Sequence, residues 1–366
     1  FNLKIDLIIG ARPNFIKIAP IIDAIEDQKS KGNSINYRIV HTGQHYDKNM
    51  SGSFFEQLGI PRPDVNLESG GGSQAEQTSK IMIGYESLLK NSPVDYCLVV
   101  GDVNSTMACS IVAKKMNIKV IHVEAGIRSG DLTMPEEINR IITDSITDYF
   151  FTTSQTANNN LINSGFSKDS IFFVGNTMID TLKKNQYNLK KPTIWSKTNL
   201  KKSNYLIVTL HRPLNVDKKD ILKETIKEII KNSNGIPVIF PVHPRTMVQL
   251  KKTDISFSNL HIIDPLSYLE FNYLVKNAKA VITDSGGISE ETTVMNIPCL
   301  TLRDNTERPE TVDTGTNELL GVHPKAIGPA MKKLFNNNWK TGSAPHLWDG
   351  KTSERIIEYL IKLDDI

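Results

Sequence analysis

The sequence predicts an α/β protein made of two Rossmann-like domains whose parallel sheets face each other across a cleft. Three observations lead there. Short apolar runs alternate with stretches of helical periodicity, and the runs are continuous, as expected of parallel strands covered on both faces. The alternation stops over residues 185–204 and then restarts. At 366 residues, the chain is too long for one ordinary core, so two domains are the default.

In chain order, the expected strands of the first array are Leu3–Ile9, Tyr37–His41, Tyr96–Val100, Lys119–Val123, Tyr149–Thr153 and Ile171–Val174. Each is a β-branched or aromatic run bounded by turn residues. Amphipathic segments follow most of them, as in Phe15–Glu26, Ser105–Met116 and Glu136–Thr147. Asn185–Asn204 is rich in Lys and Asn, carries Pro192 and reads as a solvated linker. The second array comprises Leu206–Leu210, Pro237–Pro241, His261–Ile263, Ala280–Thr283 and Pro298–Leu302, and Ser353–Ile361 is helical. The expected division is therefore a first domain over 1–184, a linker over 185–204, a second domain over 205–350 and a terminal helix over 351–366.

Composition narrows the function. Hydrophobic content of 39% with 23% charged residues is that of a soluble globular chain. A net charge of +3 with interspersed signs supplies no nucleic-acid groove. The Lys-rich run near Trp195 lacks the series of aromatics that single strands stack on. No apolar run spans a membrane and no signal-peptide pattern leads the chain, so neither membrane nor nucleic acid is an expected partner. Because the first residue is Phe1, an initiator Met or short leader is expected to precede it. Cys97, Cys109 and Cys299 are scattered, which fits a reducing cytoplasm.

Ala280–Glu291, AVITDSGGISEE, carries the most chemistry. A strand, a turn with Gly286 and Gly287, and a new helix give unpartnered N–H groups and a partial positive charge that attract phosphate. Ser285 adds a hydroxyl, and Glu291, one turn further in, is placed to accept from sugar hydroxyls. A capped helix with acids at its positive end is the plainer reading of the same residues. Other strand ends are just as polar: Gly10-Ala11-Arg12-Pro13, Thr42-Gly43-Gln44-His45, Gly101-Asp102, His122-Val123-Glu124, Thr209-Leu210-His211-Arg212 and Thr306-Glu307-Arg308. Ligands of open α/β sheets sit beyond the carboxyl ends of the strands.

Asp102, Glu124 and Glu136 supply acids that can divide proton donation and acceptance between them. Arg308 and the Ser285–Gly287 turn suit a diphosphate, and His211 suits a departing phosphate or a proton. Against this, Asp102 and Glu124 could be structural partners of Arg128 or Arg140. A metal site on Asp102, Glu124, His211 and His243 ranks low, since no H-E-x-x-H or comparable spacing exists. The chain has no G-x-G-x-x-G after its first strand, no Walker-A motif and no G-x-S-x-G, which disfavours nicotinamide, P-loop and serine-hydrolase chemistry.

Taken in order, GARPNFIKIAP (10–20), HTGQHYD (41–47), GDVNSTMA (101–108), HVEAGIRSGDLTMPEEINR (122–140), GNTMID (175–180), TLHR (209–212), TDSGGISEE (283–291) and RDNTERPETVDTGTN (303–317) resemble the non-hydrolysing UDP-N-acetylglucosamine 2-epimerase family over nearly the whole chain. The resemblance implies a GT-B fold, with the acids in the first domain, UDP on the second and the terminal helix returning toward the first. It implies reversible inversion at carbon 2 between UDP-GlcNAc and UDP-ManNAc through a 2-acetamidoglucal, with no metal and no cofactor, in a cytoplasmic homodimer serving polysaccharide biosynthesis. By position it makes Asp102, Glu124, Glu136 and His211 catalytic. It places Arg12, Lys17, Phe271, Ser285, Gly286, Gly287, Glu291 and Arg308 at the nucleotide, and Gln44 and His45 at a possible allosteric site. The sequence departs from the family pattern at Pro213, Leu214 and Leu266. Ser69–Gln77 also lacks an expected Arg-Gln pair, which leaves allosteric activation open and admits a modified UDP-acetamido sugar. A hydrolysing relative releasing ManNAc and UDP is the other alternative.

Overall fold

A computed structural model describes residues 3–43 and 55–364. The chain forms two compact units, residues 1–184 with 346–366, and residues 185–345.

In the first unit the strands are β1 (Leu3–Ile9), β2 (Ile35–His41), β3 (Val65–Asn66), β4 (Tyr96–Val100), β5 (Lys119–Ala125), β6 (Tyr149–Thr152) and β7 (Ile171–Phe173). They lie in the order β3-β2-β1-β4-β5-β6-β7 and all pair in parallel. The helices among them are α1 (Arg12–Ser30), α2 (Gln74–Asn91), α3 (Asn104–Lys115), α4 (Pro135–Ser145), α5 (Gln155–Asn163) and α6 (Thr177–Asn185). β4 is buried at every position, which explains its unbroken apolar run. β5 runs two residues beyond the expected Val123, and its register with β6 shifts between Val123 and Ala125. That bulge falls on Glu124, whose φ is 72°.

The second unit holds β8 (Leu206–Thr209), β9 (Val238–Pro241), β10 (Leu260–Ile263), β11 (Ala280–Thr283), β12 (Cys299–Thr301) and β13 (Asn317–Leu319). Their order, β10-β9-β8-β11-β12-β13, is again all parallel. Its helices are α7 (Thr193–Lys197), α8 (Pro213–Val216), α9 (Lys219–Lys231), α10 (Pro244–Leu250), α11 (Tyr268–Asn277), α12 (Gly286–Val294), α13 (Pro309–Asp313) and α14 (Ile327–Phe335). Both sheets thus have the doubly wound order, whose direction reverses between β1 and β4 and between β8 and β11. The chain has the GT-B-like combination of two parallel-sheet α/β domains.

The segment 185–204, expected as a solvated linker, is folded into the second unit. Ile194 and Trp195 of α7 pack on its core, with Trp195 edge-on to Tyr205 and Tyr273. Apolar side chains within a Lys-rich stretch bury while the lysines stay outside.

The C-terminal helix, Thr352–Asp364, belongs to the first unit. Asp180 accepts from the N–H groups of Thr352 (3.1 Å) and Ser353 (2.7 Å) and from the Ser353 hydroxyl (2.8 Å). The buried Trp348 donates its indole N–H to the Thr153 carbonyl at 2.9 Å. The G-N-T-M-I-D segment therefore serves as the dock and cap of this helix. Among the described residues no helix is long and apolar enough to cross a membrane.

Candidate active site

In the first unit the polar residues gather at the β1–β4 reversal. Asn14 accepts from the N–H groups of Gly10 (3.1 Å) and Ala11 (2.9 Å) and donates to the Val100 carbonyl (3.0 Å). This fixes the end of β1 to the end of β4 and starts α1 at Arg12. Gly101 follows with a φ of 73°, a conformation L side chains rarely adopt. A Cβ there would lie 3.4 Å from Lys17 Nζ and 3.7 Å from Glu124 Oε1. The turn carrying Asp102 thereby runs beside the Lys17–Glu124 pair.

That pair is buried, with Lys17 Nζ 2.7 Å from Glu124 Oε2 and 2.8 Å from Oε1. A buried carboxylate in left-handed backbone is a strained arrangement of the sort that collects at functional sites. Asp102 accepts from Arg140, its Oδ2 lying 2.6 Å from Nη2 and 3.0 Å from Nε. Its backbone carbonyl accepts from Asn139 at 2.9 Å. Arg140 also holds Glu137 at 2.7 Å, and Glu137 accepts from the N–H groups of Ser129 and Gly130, each at 2.9 Å. Burial pushes Glu137 up, but those donors outweigh it and keep its carboxyl below the usual range. Glu136 stands exposed in the first turn of α4, behind Pro135. Asp102 thus has the Arg140 partner considered from sequence, whereas Glu124 is paired with Lys17. Lys17, expected at the nucleotide, is committed to this acid. Gln44 and His45 lie outside the described residues.

In the second unit the reversal carries a histidine–carboxylate pair. His211 Nδ1 is 2.8 Å from Oδ1 of the buried Asp284. Asp284 also accepts from the N–H groups of His211 and Arg212 (3.1 and 2.9 Å) and from Asn215 (3.0 Å). Burial raises the Asp284 carboxyl, yet His211 and the other donors prevail and hold it below its ordinary value. The His211 side chain remains 56% exposed, leaving Nε2 for a ligand. The sequence singles out Ser285 but not Asp284, although it stands in the same T-D-S-G-G turn.

Ser285 caps α12 from extended backbone, so the opening N–H groups of this helix are presented beside Gly286 and Gly287. A Cβ on Gly286 would fall 2.6 Å from Glu307 Oε1, which only glycine avoids. Behind it the buried Arg303 holds Glu307 at 2.6 Å. Glu290, a carboxylate awkwardly close to a would-be phosphate, is answered by Arg308: the two form a buried ion pair. Glu291 is buried. Tyr268 donates to its Oε1 at 2.9 Å and Asn272 lies at 3.4 Å. Burial, with Glu290 beside it, pushes its carboxyl up to about 7 against those two hydrogen bonds. Phe271 is half-buried and packs on the core cluster that contains Leu274 and Val275. Nearby, a groove of about 360 Å³ is lined by Met247, Ile263, Leu266 and Glu270. Among the described residues no group of three or more His, Cys, Asp and Glu is placed to hold a metal ion.

The UDP-N-acetylglucosamine 2-epimerase family model matches residues 28–361. The chain is 42% identical to the UDP-N-acetylglucosamine 2-epimerase of Methanocaldococcus jannaschii, covering 98% of this chain and 99% of that protein. It is 37% identical to the UDP-2,3-diacetamido-2,3-dideoxy-D-glucuronate 2-epimerase of Pseudomonas aeruginosa, covering 99% of this chain and all (100%) of that one. Its structure superposes on the crystal structure of the M. jannaschii enzyme in complex with UDP-GlcNAc and UDP with a TM-score of 0.87 at 41% identity, over 98% and 100% of the two chains. The Neisseria meningitidis UDP-GlcNAc 2-epimerase bound to UDP-GlcNAc gives 0.87 at 30% identity, over the same shares. With the model matched across most of its length and relatives similar from end to end, the chain belongs to the UDP-N-acetylglucosamine 2-epimerase family.

Proposed function

We propose that this chain interconverts UDP-GlcNAc and UDP-ManNAc by elimination and re-addition of UDP. A carboxylate of the first unit takes the proton from carbon 2. The C–H electrons form the C1=C2 bond, and the C1–O bond breaks with its electrons leaving on UDP. Protonation of the 2-acetamidoglucal on the opposite face, with UDP returning to carbon 1, completes inversion without metal or nicotinamide. What supports this reading is that the chain carries held acids at the ends of β4 and β5 in its first unit and, in its second, a glycine-bearing helix start after β11 and a His–Asp pair at the ends of β8 and β11.

In this proposal Asp102, Glu124 and Glu136 exchange the proton. Lys17 sets the orientation and charge of Glu124. His211, aligned by Asp284, stabilises the departing phosphate. Ser285, Gly286, Gly287 and Arg308 receive the diphosphate, Glu291 the ribose and Phe271 the uracil, with Arg12 also at the nucleotide. Clustered acids serve proton transfer, whereas nucleotide binding alone has no use for them. The chain is also proposed to act in the cytoplasm as a homodimer; light scattering of the purified protein tests the assembly.

The decisive test is incubation with UDP-GlcNAc in deuterium oxide. UDP-ManNAc carrying deuterium at carbon 2 is expected, with no stoichiometric release of free UDP; absence of both products refutes the reading. Release of ManNAc and UDP in equal amounts would instead mark a hydrolase. The P. aeruginosa relative, at 37% identity, favours one second reading, a diacetamido uronate as substrate, and the same assay with that sugar nucleotide decides it.

A further inference from the structure

Every segment bearing a candidate acid in the first unit is tied to one buried pair that the proposed chemistry does not consume. His122, two residues before Glu124, has no exposed surface. Its Nδ1 is 2.7 Å from Asp144 Oδ1 and its Nε2 is 2.8 Å from the Gly101 carbonyl oxygen. A carbonyl oxygen has no hydrogen to give. Asp144 Oδ2 lies 2.7 Å from Arg128 Nη1 and accepts from the Gly126 N–H at 3.1 Å, which is the setting of an ionised carboxylate. Both ring nitrogens therefore face acceptors, and both must carry hydrogen.

The connections reach all three acids. Gly101 immediately precedes Asp102, and its own N–H donates to the Val123 carbonyl at 3.1 Å. Gly126 lies two residues after Glu124. Asp144 sits on α4, whose first turn carries Glu136. We propose that the His122–Asp144 pair, with the second ring nitrogen on the Gly101 carbonyl, is the positioning element that holds Asp102, Glu124 and Glu136 in mutual register. It rests on the proposed epimerase reading and adds to it the part that fixes the acids. Because Gly101 is bonded to Val123 next to Glu124 and immediately precedes Asp102, a slip of its carbonyl displaces Asp102 relative to Glu124. Displacements of about 1 Å can lower turnover by about 10²-fold.

Enzyme labelled with nitrogen-15 in histidine should show one slowly exchanging ring whose two nitrogens both donate hydrogen bonds, as the contacts to Asp144 and Gly101 require. His122→Asn should lower kcat by about 10²-fold with KM and UDP affinity unchanged, because the residues proposed to bind UDP, Arg12 excepted, lie in the other unit. A wild-type ring with one bare nitrogen overturns the proposal. So does a His122→Asn enzyme with wild-type kcat, or one that loses UDP affinity in step with kcat. Should His122→Asn fail to fold, the wild-type spectrum still decides the two hydrogen bonds. Asp144→Glu, which keeps the charge but shifts the ring, then decides positioning: kcat must fall at unchanged UDP affinity. Wild-type enzyme inactive on every UDP-acetamido sugar would count against the proposed function alone, since the spectrum does not depend on turnover.

Discussion

Glu291 offers a test of the nucleotide site that needs no catalysis. Its carboxyl is buried beside Tyr268 and Asn272 and is pushed up to about 7 from an ordinary 4.5. An ionised carboxylate accepts hydrogen bonds from sugar hydroxyls with both oxygens, whereas a protonated one gives up part of that capacity. The ligand of choice is uridine, because the phosphates of UDP titrate in the same range. If only the ionised form binds, about 3% of sites are competent at about pH 5.5, and affinity should be about 30-fold weaker than at about pH 8.5, or about 2 kcal/mol. The empty protein should show the opposite trend. A carboxyl raised in the folded state stabilises fully below its unfolded value and loses that contribution as pH rises through about 7, amounting to about 3 kcal/mol. Calorimetric titration of uridine across this range, paired with denaturant unfolding, reads both. Tyr268→Phe removes a hydrogen bond that lowers the carboxyl, so the midpoint of the binding curve should move to higher pH. Uridine affinity independent of pH, or rising toward acid, refutes the assignment of Glu291 to the ribose.

Three further outcomes follow from the contacts. Asp284→Asn should cut turnover by about 10–100-fold and alter the pH–rate profile, because His211 loses the carboxylate that orients its Nδ1; unchanged kcat would show that His211 is not aligned by this contact. Arg308→Met strands the buried Glu290 and should cost about 3–5 kcal/mol in denaturant unfolding, while Glu290→Gln/Arg308→Met should recover most of that loss. Asp180→Ala leaves the first N–H groups of the C-terminal helix without their acceptor and should cost about 1–3 kcal/mol in the same assay.

Much of this fold was legible because its strands are buried on both faces. β1, β4 and β11 coincide with the apolar runs seen in the sequence. β3, at two residues, and β13, at three, are too short to rise above background. β5 was cut short because Glu124 interrupts its apolar run, and only the bulge accommodates a charge there. α2 was missed because just Ile81, Tyr85 and Leu89 of its 18 residues are buried, too sparse a stripe to announce a helix after S-G-G-G-S. In 185–204 the lysine content conceals the two apolar side chains, Ile194 and Trp195, that pack on the second unit.

The site divides along a similar line. Residue types at strand ends were readable, since the doubly wound order puts chemistry at the carboxyl ends of its strands. Their partners were not, because Lys17 and Glu124 stand 107 positions apart and Asp284 and His211 stand 73 apart. Yet the pairings obey one rule in both units. Where each sheet reverses, the end of its first strand must be tied to the end of its fourth, and a buried polar side chain does it: Asn14 from β1 to β4, Asp284 from β11 to β8. A side chain that already satisfies several backbone N–H groups costs little extra to leave buried, and any acid or imidazole set on the same turn inherits its rigidity. Asp102 and His211 both occupy such turns. The doubly wound topology thus supplies the two rigid turns on which the candidate catalytic groups stand.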